Sequence, residues 1–224
     1  MTPLPPWSYT FLSDLNNCPH KAWRKYVAKD LPREEKTPEQ QFGIDAHQQF
    51  EHFINSGGKT MLNPEWRGLA EPFVAMGAKA EWKLGVDSAM RGVPFFADRD
   101  EHGRKTEPYG RGVLDVVVIQ GDTAFLADWK TGKVREDPRE LAVQAVLLKA
   151  HHPEIKSVTG AYVWLKEGRV GEPHDLSGFE RCWRGTVATV DRAKAYNEQG
   201  YWPKVENPLC GWCPVKDCEN NKTK

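Results

Sequence analysis

Between Ser8 and about Lys29, Phe11, Leu15, Cys18, Ala22 and Tyr26 recur at spacings of three and four. That spacing predicts an amphipathic helix begun by a Ser N-cap, with Cys18 on its buried stripe. Thr37-Pro38-Glu39-Gln40 reads as a capping box with Pro at the first helical position, opening a second helix that carries Phe42, Ala46, Phe50 and Phe53 as far as Ser56-Gly57-Gly58. His47 lies one residue from that apolar stripe. A third helix is expected over Pro64 to Ala78. The pattern then changes to strands at Glu81–Val86, Gly110–Ile119 and Thr123–Trp129. The turn signal Gln120-Gly121-Asp122 makes a hairpin of the last two. Asp137-Pro138 opens a helix to about Ala150 with Leu141, Ala145 and Leu148 on one face, Ser157–Leu165 is a further strand, and Leu176–Asn197 is helical. From Pro203 the chain is irregular and rich in Pro and Cys. No repeat or long linker divides it, so the expected architecture is one α/β domain over residues 1–224 with a metal-stapled flank.

Composition narrows the function. Hydrophobic residues make up 39% of the 224, enough for one substantial core, and no apolar run is long enough for a membrane span. Met1-Thr2-Pro3-Leu4-Pro5-Pro6 lacks the basic and apolar regions of a secretory signal, so an intracellular, cytoplasmic protein is expected. Lys+Arg and Asp+Glu are 31 each. With no net charge, a polyanion must be held by a local set of cations, for which Arg104, Lys105, Arg111 and Lys133 are candidates.

The five cysteines are an odd set, and a reducing compartment disfavours disulfides. Cys210, Cys213 and Cys218 form a C-x2-C-x4-C cluster, Cys18 stands alone near the start, and Cys182 reads as a core thiol. Three clustered thiols lack one ligand for a tetrahedral or cubane site. Cys18 can supply it only if the fold brings these two segments together.

Asp115 sits inside the apolar run Val113-Leu114-Asp115-Val116-Val117-Val118-Ile119, where a carboxylate is costly unless it is paired or holds a cation. Asp128 and Lys130 share one face of the next strand, with Trp129 opposite. A hairpin centred near Gly121 sets Asp115 close to Asp128 across the strands, so two carboxylates and an ammonium converge. Taken singly, each residue has a plainer reading. Asp115 and Lys130 could be a structural ion pair, His47 a core histidine, Gln144 a solvated helix residue, and Trp7, Trp23 and Trp66 packing groups.

Taken in order, His47, Gly112-Val113-Leu114-Asp115, Asp128-Trp129-Lys130-Thr131-Gly132 and Gln144 resemble the PD-(D/E)XK nuclease core, and its RecB-like branch in particular. That branch reads roughly H, G-x-x-D, D-x-K-T-G and Q-x-x-x-Y. Leu148 stands where its Tyr would be. Cys18-Pro19 with Cys210-Gly211-Trp212-Cys213-Pro214 and Cys218 is similar to the bipartite iron–sulfur staple of CRISPR-adaptation Cas nucleases, AddB-type helicase–nucleases and related viral enzymes. The resemblance implies a restriction-endonuclease-like fold, a mixed central sheet flanked by helices, with residues 8–30 and 203–220 forming the cluster flank. It further implies that His47, Asp115, Asp128 and the Trp129 carbonyl hold Mg²⁺ or Mn²⁺, that Lys130 and Gln144 assist catalysis, and that Cys18, Cys210, Cys213 and Cys218 hold a cluster, 4Fe-4S or alternatively zinc. The implied function is a deoxyribonuclease, an exonuclease on DNA ends or single-stranded DNA, located in the host cytoplasm if viral. The alternative is a catalytically idle nucleic-acid-binding or partner-binding module in a recombination or CRISPR-adaptation complex.

Overall fold

The computed structural model describes residues 2–32, 35–99, 102–103 and 105–222. The chain gathers into two compact units, Glu35–Cys182 and the pair of segments Met1–Glu34 and Trp183–Lys224.

Within Glu35–Cys182, the capping box forms as expected. The Thr37 side chain accepts from Gln40 N and the Gln40 side chain accepts from Thr37 N, starting α1 (Pro38–Asn55). Ala46, Phe50 and Phe53 are buried, but Phe42 is exposed and only edges Trp66 with its ring. The expected third helix begins as a short 3₁₀ turn at Pro64–Trp66 and continues as α2 (Arg67–Ala75). Among the described residues, seven strands make one mixed sheet: β1 (Lys79–Val86), β2 (Gly92–Val93), β5 (Gly110–Gln120), β6 (Thr123–Lys130), β7 (Ser157–Trp164), β8 (Arg169–Val170) and β9 (His174–Asp175). The order is β2-β1-β5-β6-β7-β8, with β9 also on β7. β3 (Asp98–Arg99) and β4 (Lys105–Thr106) pair separately. The β5–β6 hairpin turns at Gly121, whose φ of +61° suits glycine. β6 and β7 run parallel, joined through α3 (Arg139–His151), as a crossover helix requires.

Side-chain alternation divides the core. Ala127 and Trp129 of β6 join Phe50, Trp66 and Phe73 from α1 and its neighbours, with Trp129 stacked on Phe50 at 3.9 Å between ring centres. Asp128 points the other way, toward α3, where Leu141, Ala145 and Leu148 are fully buried. Leu148 is thus a core residue, which accounts for an aliphatic side chain there.

The other unit corrects one expectation. Ser8 does cap a helix, α4 in our labelling (Tyr9–Asn17), but that helix stops at Cys18, whose backbone is extended with φ −160° and ψ 106°. Pro19 is the reason, because its ring disfavours a helical conformation in the residue before it. A short turn (Pro19–Ala22) and a π-helical turn (Trp23–Ala28) follow. Cys18 therefore stands at a break and is half-buried instead of lying on a helical stripe. Trp7 is buried against Trp183, at 6.3 Å between ring centres, while Trp23 is only partly covered. A last helix, α5 (Phe179–Gln199), carries Cys182, which is half-buried and so not the core thiol expected.

Among the described residues of this unit, Asp14 is the buried charge. Its carboxylate accepts from Lys21 Nζ at 2.8 Å, Lys25 Nζ at 2.9 Å and Tyr26 Oη at 2.9 Å. Burial alone would raise its pKa, but the hydrogen bonds and charges of Lys21 and Lys25 outweigh burial and hold it below the ordinary 3.8. Since the folded value is the lower one, the stabilisation is full above the unfolded pKa and is lost as pH falls through the folded one. Asp14→Asn should cost about 1–3 kcal/mol near neutrality, with the gap to wild type closing below about pH 4. Thermal melts of both proteins across that range check this, and a gap that stays constant in acid would contradict it.

Candidate active site

Three adjacent strands bring acids into one row. The β5–β6 register pairs Val116 with Ala127, and one step further it sets Asp115 opposite Asp128, as the hairpin predicts. On the other side, β1 pairs Ala80 with Val116 and Trp82 with Leu114, so Glu81 stands opposite Asp115. Asp115 and Asp128 are 7% and 3% exposed, a depth at which unpaired carboxylates would be costly.

Their partners are distributed around the row. Trp129 N donates to Asp115 Oδ2 at 3.0 Å. His47, half-buried on α1, directs Nδ1 at Glu81 Oε1 (3.2 Å) and Asp115 Oδ2 (3.4 Å), and Nε2 at the Trp129 carbonyl oxygen (3.1 Å). Lys130 Nζ lies 2.5 Å from Asp128 Oδ2 and 2.8 Å from Glu140 Oε2. The structural pair considered between Asp115 and Lys130 is therefore not formed. Gln144, far from being solvated, is 6% exposed and donates from Nε2 to Asp128 Oδ1 at 3.3 Å. Its Oε1 is buried with no hydrogen-bond partner among the described residues.

This crowding of acids shifts protons. Burial, then the Asp128 charge, pushes the Asp115 carboxyl well above the usual carboxylate range, against the pull of His47. Burial and Asp128 likewise raise Glu140. Burial opposes charge on His47, yet the Glu81 hydrogen bond and the Asp115 and Asp128 charges prevail and raise its pKa to about 9. Burial also opposes charge on Lys130, and Asp128 and Glu140 more than compensate, so its ammonium is held firmly protonated. Four carboxylates face two cationic side chains, and one ligand atom each from His47, Glu81 and Asp115 lies within 4.8 Å of the others, a group that could bind a metal ion. Carboxylate and carbonyl oxygens with one imidazole suit a hard divalent cation.

His47 and Glu81 open onto a cleft of about 960 Å³ that Lys36, Lys133 and Lys166 also line. Of the phosphate contacts expected from sequence, Lys133 faces this cleft. Lys105 is paired with Glu107, Arg111 lies 5.0 Å from the centre of the Phe95 ring, and Arg104 lies outside the described residues. Glu81 and Glu140 were not among the expected site residues. Glu140 had a signal, since it precedes Gln144 by four residues and so shares its helix face. Glu81 had none, because the pairing of its strand with β5 cannot be read from one sequence.

The cysteine segments also meet. His20 N donates to the Pro203 carbonyl at 3.0 Å, Asn207 Nδ2 to the Asn17 carbonyl at 3.1 Å, and Arg24 pairs with Asp217 at 2.8 Å. Cys18, Cys210, Cys213 and Cys218 line one cavity of about 180 Å³. Among the described residues, no three of their sulfurs lie within 4.8 Å of one another.

No helix among the described residues is long and apolar enough to cross a membrane. The crystal structure of SSO0001 resembles this one over 94% of this chain and 85% of that chain, at 12% identity and a TM-score of 0.47. No curated protein matches. The family model of the PD-(D/E)XK nuclease superfamily matches residues 6–218, which span the His47, Asp115, Asp128, Lys130 and Gln144 constellation, and the chain belongs to that superfamily.

Proposed function

We propose that the protein is a metal-dependent deoxyribonuclease acting as an exonuclease on DNA ends or single strands. The observation that carries this reading is the row Glu81, Asp115 and Asp128, with Lys130 fixed beside it and His47 at the cleft. His47, Asp115, Asp128 and the Trp129 carbonyl, joined by Glu81, would hold Mg²⁺ or Mn²⁺. Such an ion supplies charge neutralisation at the scissile phosphate and lowers the pKa of a bound water. The chain's own part is positioning. Lys130 presents a permanently charged donor to the phosphoryl oxygens, where negative charge grows in the transition state. Gln144 fixes the Asp128 carboxylate, and Glu140 restrains Lys130. The open cleft of about 960 Å³ beside His47 and Glu81 gives a strand access to the row.

Purified protein with Mg²⁺ or Mn²⁺ should degrade end-labelled linear single-stranded DNA and spare circular single strands, and chelation should stop it. Cleavage of circles would make it an endonuclease. No cleavage of either would leave a binding module.

His47→Ala should weaken Mn²⁺ binding at least about tenfold and Mg²⁺ binding less, because imidazole favours the later metal. Unchanged Mn²⁺ affinity by titration calorimetry would remove His47 from the ligand set. DNA affinity should rest on local contacts. If Lys36, Lys133 and Lys166 each neutralise one phosphate of a single strand, affinity falls about twentyfold between ~50 and ~200 mM salt. Constant affinity over that range would exclude these contacts.

Cys18, Cys210, Cys213 and Cys218 are proposed to hold an iron–sulfur cluster in the flank made by residues 8–30 and 203–220. One fact supports it: all four line one cavity.

A further inference from the structure

We propose that Glu81 reaches the site through a left-handed kink in β1 that serves the site and not the sheet, and that Asn55 is the positioning residue holding that kink. The inference rests on the metal-dependent nuclease reading and concerns how this chain presents one of its carboxylates.

Glu81 has φ +51° inside a strand, a conformation that residues with a Cβ rarely adopt. Its consequence is visible in the packing. Ala80 belongs to the cluster built by α1 and α2, whereas Trp82, two residues on, meets the His152 ring just past the end of α3, 5.3 Å away. The partner strand does the same. Val116 packs in the first cluster, while a Cβ on Gly112 would meet Leu147 of α3 at 2.7 Å. In regular strands residues two or four apart share a face, so both strands turn over at the row of Glu81 and Asp115. Without that turn Glu81 would point opposite to Ala80, away from the helix that carries His47. With it, Glu81 Oε1 lies 3.2 Å from His47 Nδ1 and lines the cleft.

Something must hold so disfavoured a geometry. Among the described residues, β2 covers β1 at Gly85 and Val86 and no strand flanks the outer edge at Ala80. The Asn55 amide fills that place: Nδ2 donates to the Ala80 carbonyl at 3.1 Å, and Ala80 N donates to Oδ1 at 3.0 Å. Asn55 thus pins both polar groups of the residue before the kink, from the same helix that bears His47. Strain that is held by specific contacts and directed at a cleft is a mark of function.

The test is Mn²⁺ affinity by titration calorimetry, together with thermal melting of the full chain. Glu81→Gly keeps the left-handed backbone available and should weaken Mn²⁺ binding about tenfold or more, with a melting temperature no lower than wild type. Asn55→Ala should weaken Mn²⁺ binding about tenfold with Glu81 still present, and should cost no further affinity in the Glu81→Gly background. Asn55→Asp, which keeps the acceptor for Ala80 N, should fall between and guards against a misfolded alanine variant. Wild-type Mn²⁺ affinity in Asn55→Ala, or a Glu81→Gly protein that melts well below wild type, overturns the inference while leaving the nuclease reading in place. A wild-type protein that binds no Mn²⁺ overturns both.

Discussion

Asp128→Asn is expected to lower kcat by about 10²–10³-fold while the metal-free protein keeps its stability to within about 1 kcal/mol of wild type. The two effects have one cause. The Asp128 charge is the feature that, after burial, most raises Asp115 and Glu140, so neutralising it relieves repulsion in the metal-free fold. Its Oδ1 still accepts from Gln144 in the amide, which turns the Nδ2 donor toward the Lys130 ammonium and offsets that relief in part. Lys130→Ala should lose as much activity and cost more stability. Its ammonium compensates both Asp128 and Glu140, and removing it leaves the buried Asp128 and half-buried Glu140 carboxylates facing each other at a cost of about 2 kcal/mol. Nuclease assays of both variants with metal, and melts in chelator, separate these outcomes. Cleavage by either variant within about tenfold of wild type, roughly 1.4 kcal/mol of barrier, would remove the residue from the catalytic machinery.

The legible parts of this molecule were those written in local chemistry. The Thr37-Pro38-Glu39-Gln40 box, the Gly121 turn and the alternation around Trp129 each depend on residues within one element or one hairpin, and the structure follows them. The register of that hairpin was enough to bring Asp115 to Asp128. What could not be read depended on neighbours distant in sequence. Glu81 joins the acids only because β1 lies on β5, and its left-handed backbone is paired to a helix end that no local pattern connects with it. Phe42 lies on the apolar stripe of its helix and is exposed, because the helix extends past the core it packs on. The break at Cys18 was readable in principle. Pro19 marks it, and the periodicity of the flanking residues concealed it.

That break bears on the prediction with the greatest structural reach. Pro19 gives Cys18 an extended backbone at the end of one helix, half-buried, on a cavity shared with Cys210, Cys213 and Cys218. A cluster held by these four would join residue 18 to residues 210–218, closing a loop of about 190 residues and restricting the unfolded chain accordingly. Losing any one ligand should release the whole staple. Serine at Cys18, Cys210, Cys213 or Cys218 is therefore expected to destabilise the protein by on the order of 4 kcal/mol, the scale of a cross-link over so long a loop. Cys182→Ser, outside that cavity, should shift stability by no more than about 0.5 kcal/mol. Because phosphodiester hydrolysis transfers no electrons, a cluster there would have no redox task at the nuclease site, and activity should fall only as the folded population falls. The measurement is iron and sulfide content with visible absorption of anaerobically purified protein, beside melts and nuclease rates of each variant. Equal tolerance of serine at Cys18 and Cys182, with metal content unchanged, would take Cys18 out of the cluster and require another fourth ligand for the C-terminal three.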